Sequence, residues 1–200
     1  MTKILKFTLP VALLMIFSTG ALANESKNAT EHKEKRSLIK TNPIGLLLGT
    51  YSIAYDFAFK EKLSLGLAYE NAYTEVDGIE GNAQLISVSG KYYTKGFNAK
   101  YSTFFAYQMG LLDITARGKI NEFDVDFDAK GNGYISSIAY GAKFTQESGI
   151  TYGASLGIAY SNFNLDGEYQ AVDKNQTDRI NLTDLGGIAP FVDFSVGYQF

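Results

Sequence analysis

Few residues in this chain could do chemistry, and their spacing argues mostly against catalysis. There is no cysteine. That excludes thiolate nucleophiles, disulfides and cysteine metal sites together. The single histidine, His32, lies in the charged stretch N-E-S-K-N-A-T-E-H-K-E-K-R over 24–36. An isolated histidine with no ligand spacing around it reads as a solvated side chain, not a metal ligand. Acid–base or triad chemistry would want a His beside Ser, Asp or Glu, and no His follows residue 32. Three acids alternate with apolar residues at Asp124, Asp126 and Asp128 (D-V-D-F-D). An EF-hand loop needs Gly at its sixth position and Glu at its twelfth, where this chain has Ala129 and Ile135. A period of two instead puts the three acids on one side of a strand. No glycine-rich phosphate loop, basic aromatic patch or heptad occurs. The sequons at Asn28, Asn175 and Asn181 read as chance matches in Asn-rich polar stretches. The expectation is no enzyme, no catalytic residue, no cofactor and no metal.

The other polar residues of interest are Asp56, Glu70, Lys91, Gln108, Lys143 and Asp193. Each occupies an alternate position opposite large apolar residues. Tyr51, Ile53, Tyr55, Phe57 and Phe59 share one face, against Ser52, Ala54, Asp56, Ala58 and Lys60. Leu63, Leu65, Leu67 and Tyr69 oppose Ser64, Gly66, Ala68 and Glu70. The same pattern recurs around Lys91, Gln108 and Lys143, with Phe104 and Leu112 out of step. It returns at the C-terminus, where Phe194, Val196, Tyr198 and Phe200 alternate with Ser195, Gly197 and Gln199, and Phe191 is the exception. Alternation at period two means strands whose faces meet different surroundings. Tight turns at 60–62, 94–99 and 146–149 alternate with long polar stretches at 71–83, 113–133 and 161–187, which read as surface loops.

Counting from residue 38 gives about eight strands. Residues 38–48 (L-I-K-T-N-P-I-G-L-L-L) fit either a strand or a short helix, and the even strand number of such barrels favours the strand. The fold class is therefore all-β, a closed antiparallel transmembrane β-barrel. The bulky residues must face outward. A soluble barrel would put them inside, where there is room only for packed side chains or one small ligand. It would also leave a solvent face of mostly Gly, Ala and Ser. Inverting the barrel places the rings in lipid and the small and charged residues in a narrow lumen. The six polar residues then read as a network that plugs the lumen, since buried charges need partners.

The N-terminus is consistent with this placement. Lys3 and Lys6 precede an apolar run, and Ala21-Leu22-Ala23 supplies the cleavage pattern of a secretory signal peptide over 1–23. A flexible periplasmic leader would span 24–37, and the barrel 38–200. Removing the signal with its two lysines takes the formal charge from −3 to −5, which argues against nucleic acid.

With the strands in place, residues 38–200 resemble the small bacterial outer-membrane barrels of the OmpX and OmpA-domain kind. The stretch K-T-N-P-I-G-L-L from Lys40 is similar to an uncharacterised group of such barrels. Ending on Tyr198-Gln199-Phe200 resembles the C-terminal signal read by the barrel assembly machinery, which would assign that role to Phe194, Val196, Tyr198 and Phe200. The resemblance implies the Gram-negative outer membrane. Its partners would be lipid, lipopolysaccharide, periplasmic chaperones and a surface ligand. The role would be structural or interactive, with a narrow pore or transporter for small or apolar solutes as the alternative and an outer-membrane enzyme third.

Overall fold

The structure is a computed structural model that describes residues 35–76, 78–120, 125–171 and 177–200. Residues 1–34, which include the expected signal peptide, most of the expected leader and His32, lie outside the described residues, as does Asp124. Among those described, eight strands form one closed antiparallel ring. They are β1 (Ser37–Thr41), β2 (Thr50–Lys60), β3 (Leu63–Val76), β4 (Ile79–Tyr93), β5 (Tyr101–Ile120), β6 (Val125–Thr145), β7 (Ile150–Ala171) and β8 (Thr177–Gln199). One short helix, α1 (Pro43–Leu47), stands between β1 and β2. Each strand pairs with its neighbour in the chain, and β1 closes the ring on β8. Closure continues to the last residue: the Ser37 amide donates to the Phe200 carbonyl at 2.9 Å, and the Phe200 amide returns the bond at 2.8 Å. Closing a sheet on itself is what allows strands to stand in hydrocarbon without unpaired edges.

The outer face carries the large residues. Tyr51, Ile53, Tyr55, Phe57 and Phe59 on β2 are all exposed, as are Tyr152, Leu156, Ile158 and Tyr160 on β7. On β7 this belt covers residues 150–160. Eleven residues at about 3.3 Å each, tilted by about 40°, stand about 28 Å tall, close to the ~25 Å apolar band of such barrels.

The strands do not stop where the belt stops. β7 has 22 residues and β8 has 23. The stretches expected as loops at 71–83, 113–133 and 161–187 are therefore mostly ladder, joined by connections at 77–78, 121–124 and 172–176. The period of two persists there with its polarity reversed. Beyond Leu111 the exposed positions of β5 are Asp113, Thr115 and Arg117, while Leu112, Ile114 and Ala116 turn inward and are half-buried. On β7, Asn164 and Asp166 are exposed and Leu165 is half-buried. Lipid outside selects apolar residues outside. Once the wall rises into water, the same strand must invert. Asp126 and Asp128 belong to this extension, and Asp128 pairs with Arg117 (Oδ2 to Nε, 3.1 Å).

The opening segment departs from the strand expected over 38–48. β1 ends at Thr41, and α1 follows. Asn42 caps the helix, its Oδ1 accepting from the Gly45 amide at 2.9 Å, and Pro43 stands at the first helical position. Proline has no N–H to lose there, and its φ suits the turn.

Two residues that broke the sequence pattern, Phe104 and Phe191, point into the ring. Each lies over a glycine of the neighbouring strand. A Cβ at Gly141 would meet the Phe104 ring at 2.5 Å and the Ala154 carbonyl at 2.6 Å, and one at Gly157 would meet the Phe191 ring at 2.7 Å. Gly141→Ala should therefore lower unfolding stability by about 1–3 kcal/mol through overpacking. A urea midpoint in detergent that matches the parent would refute this.

Candidate functional site

The inward residues form two layers. The first closes the end of the barrel that carries the tight turns. The 94–100 turn folds across the opening and puts Phe97, which is 0% exposed, on the axis. Its ring meets Tyr93 edge-on (centroids 5.4 Å apart, planes at 88°), and Tyr93 meets Phe104 at 5.5 Å. The Phe97 amide donates to the Glu61 carbonyl of the adjacent turn at 2.7 Å. Lys143 approaches from β6, its ammonium 4.3 Å from the Phe97 centroid and 5.2 Å from that of Tyr93. It donates to the Phe97 carbonyl and to Gln199 Oε1, the latter at 2.8 Å. Gln199 donates in turn to the Phe97 carbonyl at 3.3 Å and to Asn98 Oδ1 at 2.8 Å. A desolvated cation over two ring faces with two carbonyl acceptors is well satisfied without any carboxylate.

The second layer is an ion cluster above the plug. Lys91 Nζ stands 2.6 Å from Asp56 Oδ2, and Lys40 Nζ stands 3.6 Å from the same oxygen. Asp56 is 1% exposed and Lys91 8%. Gly66 makes room for this: a Cβ there would collide with Asp56 Oδ1. Above the cluster lies a cavity of about 360 Å³, which Lys40, Asp56, Glu70, Lys91, Gln108 and Asp193 all help to line.

The six residues singled out in the sequence are all inward, yet they form several separate contacts. Asp56 and Lys91 meet directly. Gln108 donates to Ser87 Oγ at 2.7 Å. Asp193 accepts from Asn42 Nδ2 at 3.1 Å. Glu70 faces the cavity from β3, and Lys143 belongs to the plug. Lys60, read from its alternation as facing the lumen, is exposed, because the pairing register shifts between Ala58 and Lys60. Sequence reading missed Lys40, Asn42 and Phe97 as lumen residues. The Asn42-Pro43 pair was a legible helix start. Phe97 left no periodic signal, because it sits in a turn.

The four C-terminal residues Phe194, Val196, Tyr198 and Phe200 fall on the outward stripe. Tyr198 and Phe200 stack at 6.3 Å between centroids and are both half exposed.

A closed ring with an apolar belt, polar interior and aromatic exterior defines an outer-membrane β-barrel. The comparison with solved structures agrees at the level of fold. A major outer membrane protein from Thermus thermophilus superposes with a TM-score of 0.60 at 10% identity, over 84% of this chain and 100% of that one. CarO of Acinetobacter baumannii is also matched, with a TM-score of 0.42 at 11% identity, over 82% of this chain and 97% of that one. No family model matches the chain, and no curated protein matches it. Among the described residues no helix is long and apolar enough to cross a membrane, and the crossing is made by strands.

Proposed function

We propose that this chain is a non-enzymatic outer-membrane barrel, sealed against ion flow at its turn end, with a structural and surface-interaction role. The seal carries the reading. Phe97, Tyr93, Phe104, Lys143 and Gln199 fill the turn end with rings and satisfied polar groups. By the usual asymmetry of such barrels the tight turns face the periplasm and the long ends face outward. The polar outer surface of the extended strands, with Asp113, Asp126, Asp166 and their neighbours, then stands beyond the lipid headgroups. That surface is where contact with lipopolysaccharide or a surface ligand would be made. The stripe Phe194, Val196, Tyr198 and Phe200 would serve recognition by periplasmic chaperones and the barrel assembly machinery, as in small barrels of the OmpX kind.

In planar bilayers the refolded protein should show no steady conductance. Replacing residues 95–99 by a two-residue turn, which withdraws Phe97 and frees Lys143, should produce one. A stable current from the parent protein would refute the sealed barrel and favour a narrow pore.

A further inference from the structure

The wall of the ring is incomplete at one place. β1 has five residues and ends at Thr41, and its last partners are Ala54 on β2 and Val196 on β8. β2 reaches back to Thr50, and β8 begins at Thr177. Among the described residues, no strand lies between residues 50–53 of β2 and the part of β8 before Val196. The gap lies within the apolar belt, because Ile188 and Val192 on that part of β8 are 76% and 63% exposed. Unpaired strand edges are avoided in hydrocarbon. Pro190, which has no N–H to leave unpaired, sits on this one.

Helix α1 fills the gap and packs against both β2 and β8. It is only five residues long, far below the length at which a helix is stable by itself. Ile44, Leu46 and Leu47 on the helix and Leu48 at its C-cap are all exposed, and Leu47 is 86% exposed. Among the described residues, one side-chain hydrogen bond ties this segment to β8, from Asn42 Nδ2 to Asp193 Oδ1. On the inner side of the gap lies the cavity above the ion cluster, reached by Thr41, Asn42, Thr50, Ser52, Asp193 and Ser195.

We propose that this gap is a lateral portal, with α1 as its door and Asn42–Asp193 as its latch. Small apolar or amphipathic molecules pass through it between the lumen cavity and the bilayer. The cavity, about 360 Å³, falls within the range of small-molecule sites. The plug shuts the turn end, so the remaining ways out are the long end and the gap. The inward residues of the long end, Leu112, Ile114 and Leu165, are apolar, and they suit the same class of molecule. An outward swing of α1 keeps its leucines in lipid and exposes no apolar surface to water. The proposal does not depend on the surface-interaction role.

The chain has no cysteine, so Ser195→Cys gives a single thiol on the cavity wall. The protein in phosphatidylcholine liposomes is treated with N-phenylmaleimide, which partitions into the bilayer, or with a sulfonated maleimide, which stays in water. Heat-modifiable gel mobility verifies folding. Adding Asp193→Ala should raise labelling by the bilayer reagent about tenfold, equivalent to about 1.4 kcal/mol, and leave the sulfonated reagent unchanged. Asp193→Asn keeps an oxygen that accepts from Asn42, and should stay at the parent rate. Asn42→Ala should act like Asp193→Ala. Because it also removes the helix cap, Asp193→Ala decides alone if that variant does not fold. Equal acceleration of both reagents, or no acceleration of either, overturns the portal.

Discussion

Lys91→Ala should cost the barrel about 3 kcal/mol of unfolding free energy, the low end of what breaking a buried ion pair costs. The loss comes from the partner left behind. Asp56 is 1% exposed and cannot recover its hydration in place. Lys40 moderates the cost because it stays 3.6 Å from the same oxygen. An alanine at the exposed Lys130 should leave the urea midpoint in detergent where it was, since substitutions away from such features change little. Equal midpoints for Lys91→Ala and Lys130→Ala would show that the ion cluster contributes nothing to holding the barrel.

Phe97→Ala should be as damaging, at about 3–5 kcal/mol. Its ring is fully buried and belongs to a cluster that cannot collapse. Tyr93 and Phe104 are anchored on the β4 and β5 ladders, and Lys143 is fixed by Gln199. The ring also supplies one of the two aromatic faces beneath the Lys143 ammonium, so its removal takes away cation–π attraction as well as apolar burial. Phe97→Leu keeps most of the volume and should cost well under half as much. The comparison is read from unfolding midpoints of the two variants. If alanine and leucine behave alike, the turn is a loose cover and not a packed plug.

The alternation of large and small residues is enough to specify the architecture. Period two, a lipid-facing aromatic stripe and tight turns at regular intervals are local properties. They survive in sequence because each strand meets lipid on one side and a crowded lumen on the other. The C-terminal stripe and the inward placement of Asp56, Glu70, Lys91, Gln108, Lys143 and Asp193 were legible for the same reason. What the long polar stretches were doing was not legible. There the alternation continues with water outside, so Asp113 and Thr115 look like loop residues until the ladder with β6 shows them on a strand.

Pairing was hidden too. Period two places a residue on a face without saying how high on the wall it stands, and height depends on register and strand tilt. That is why Lys91 could not be assigned to Asp56, nor Lys143 to Gln199, by reading alone. Only the tertiary structure put Phe97 on the axis, because a turn residue has no periodicity to declare its direction. The structure also decided that β1 stops at Thr41 and leaves a gap for α1. A five-residue helix between strands is held by contacts with β2 and β8 more than by its own residues.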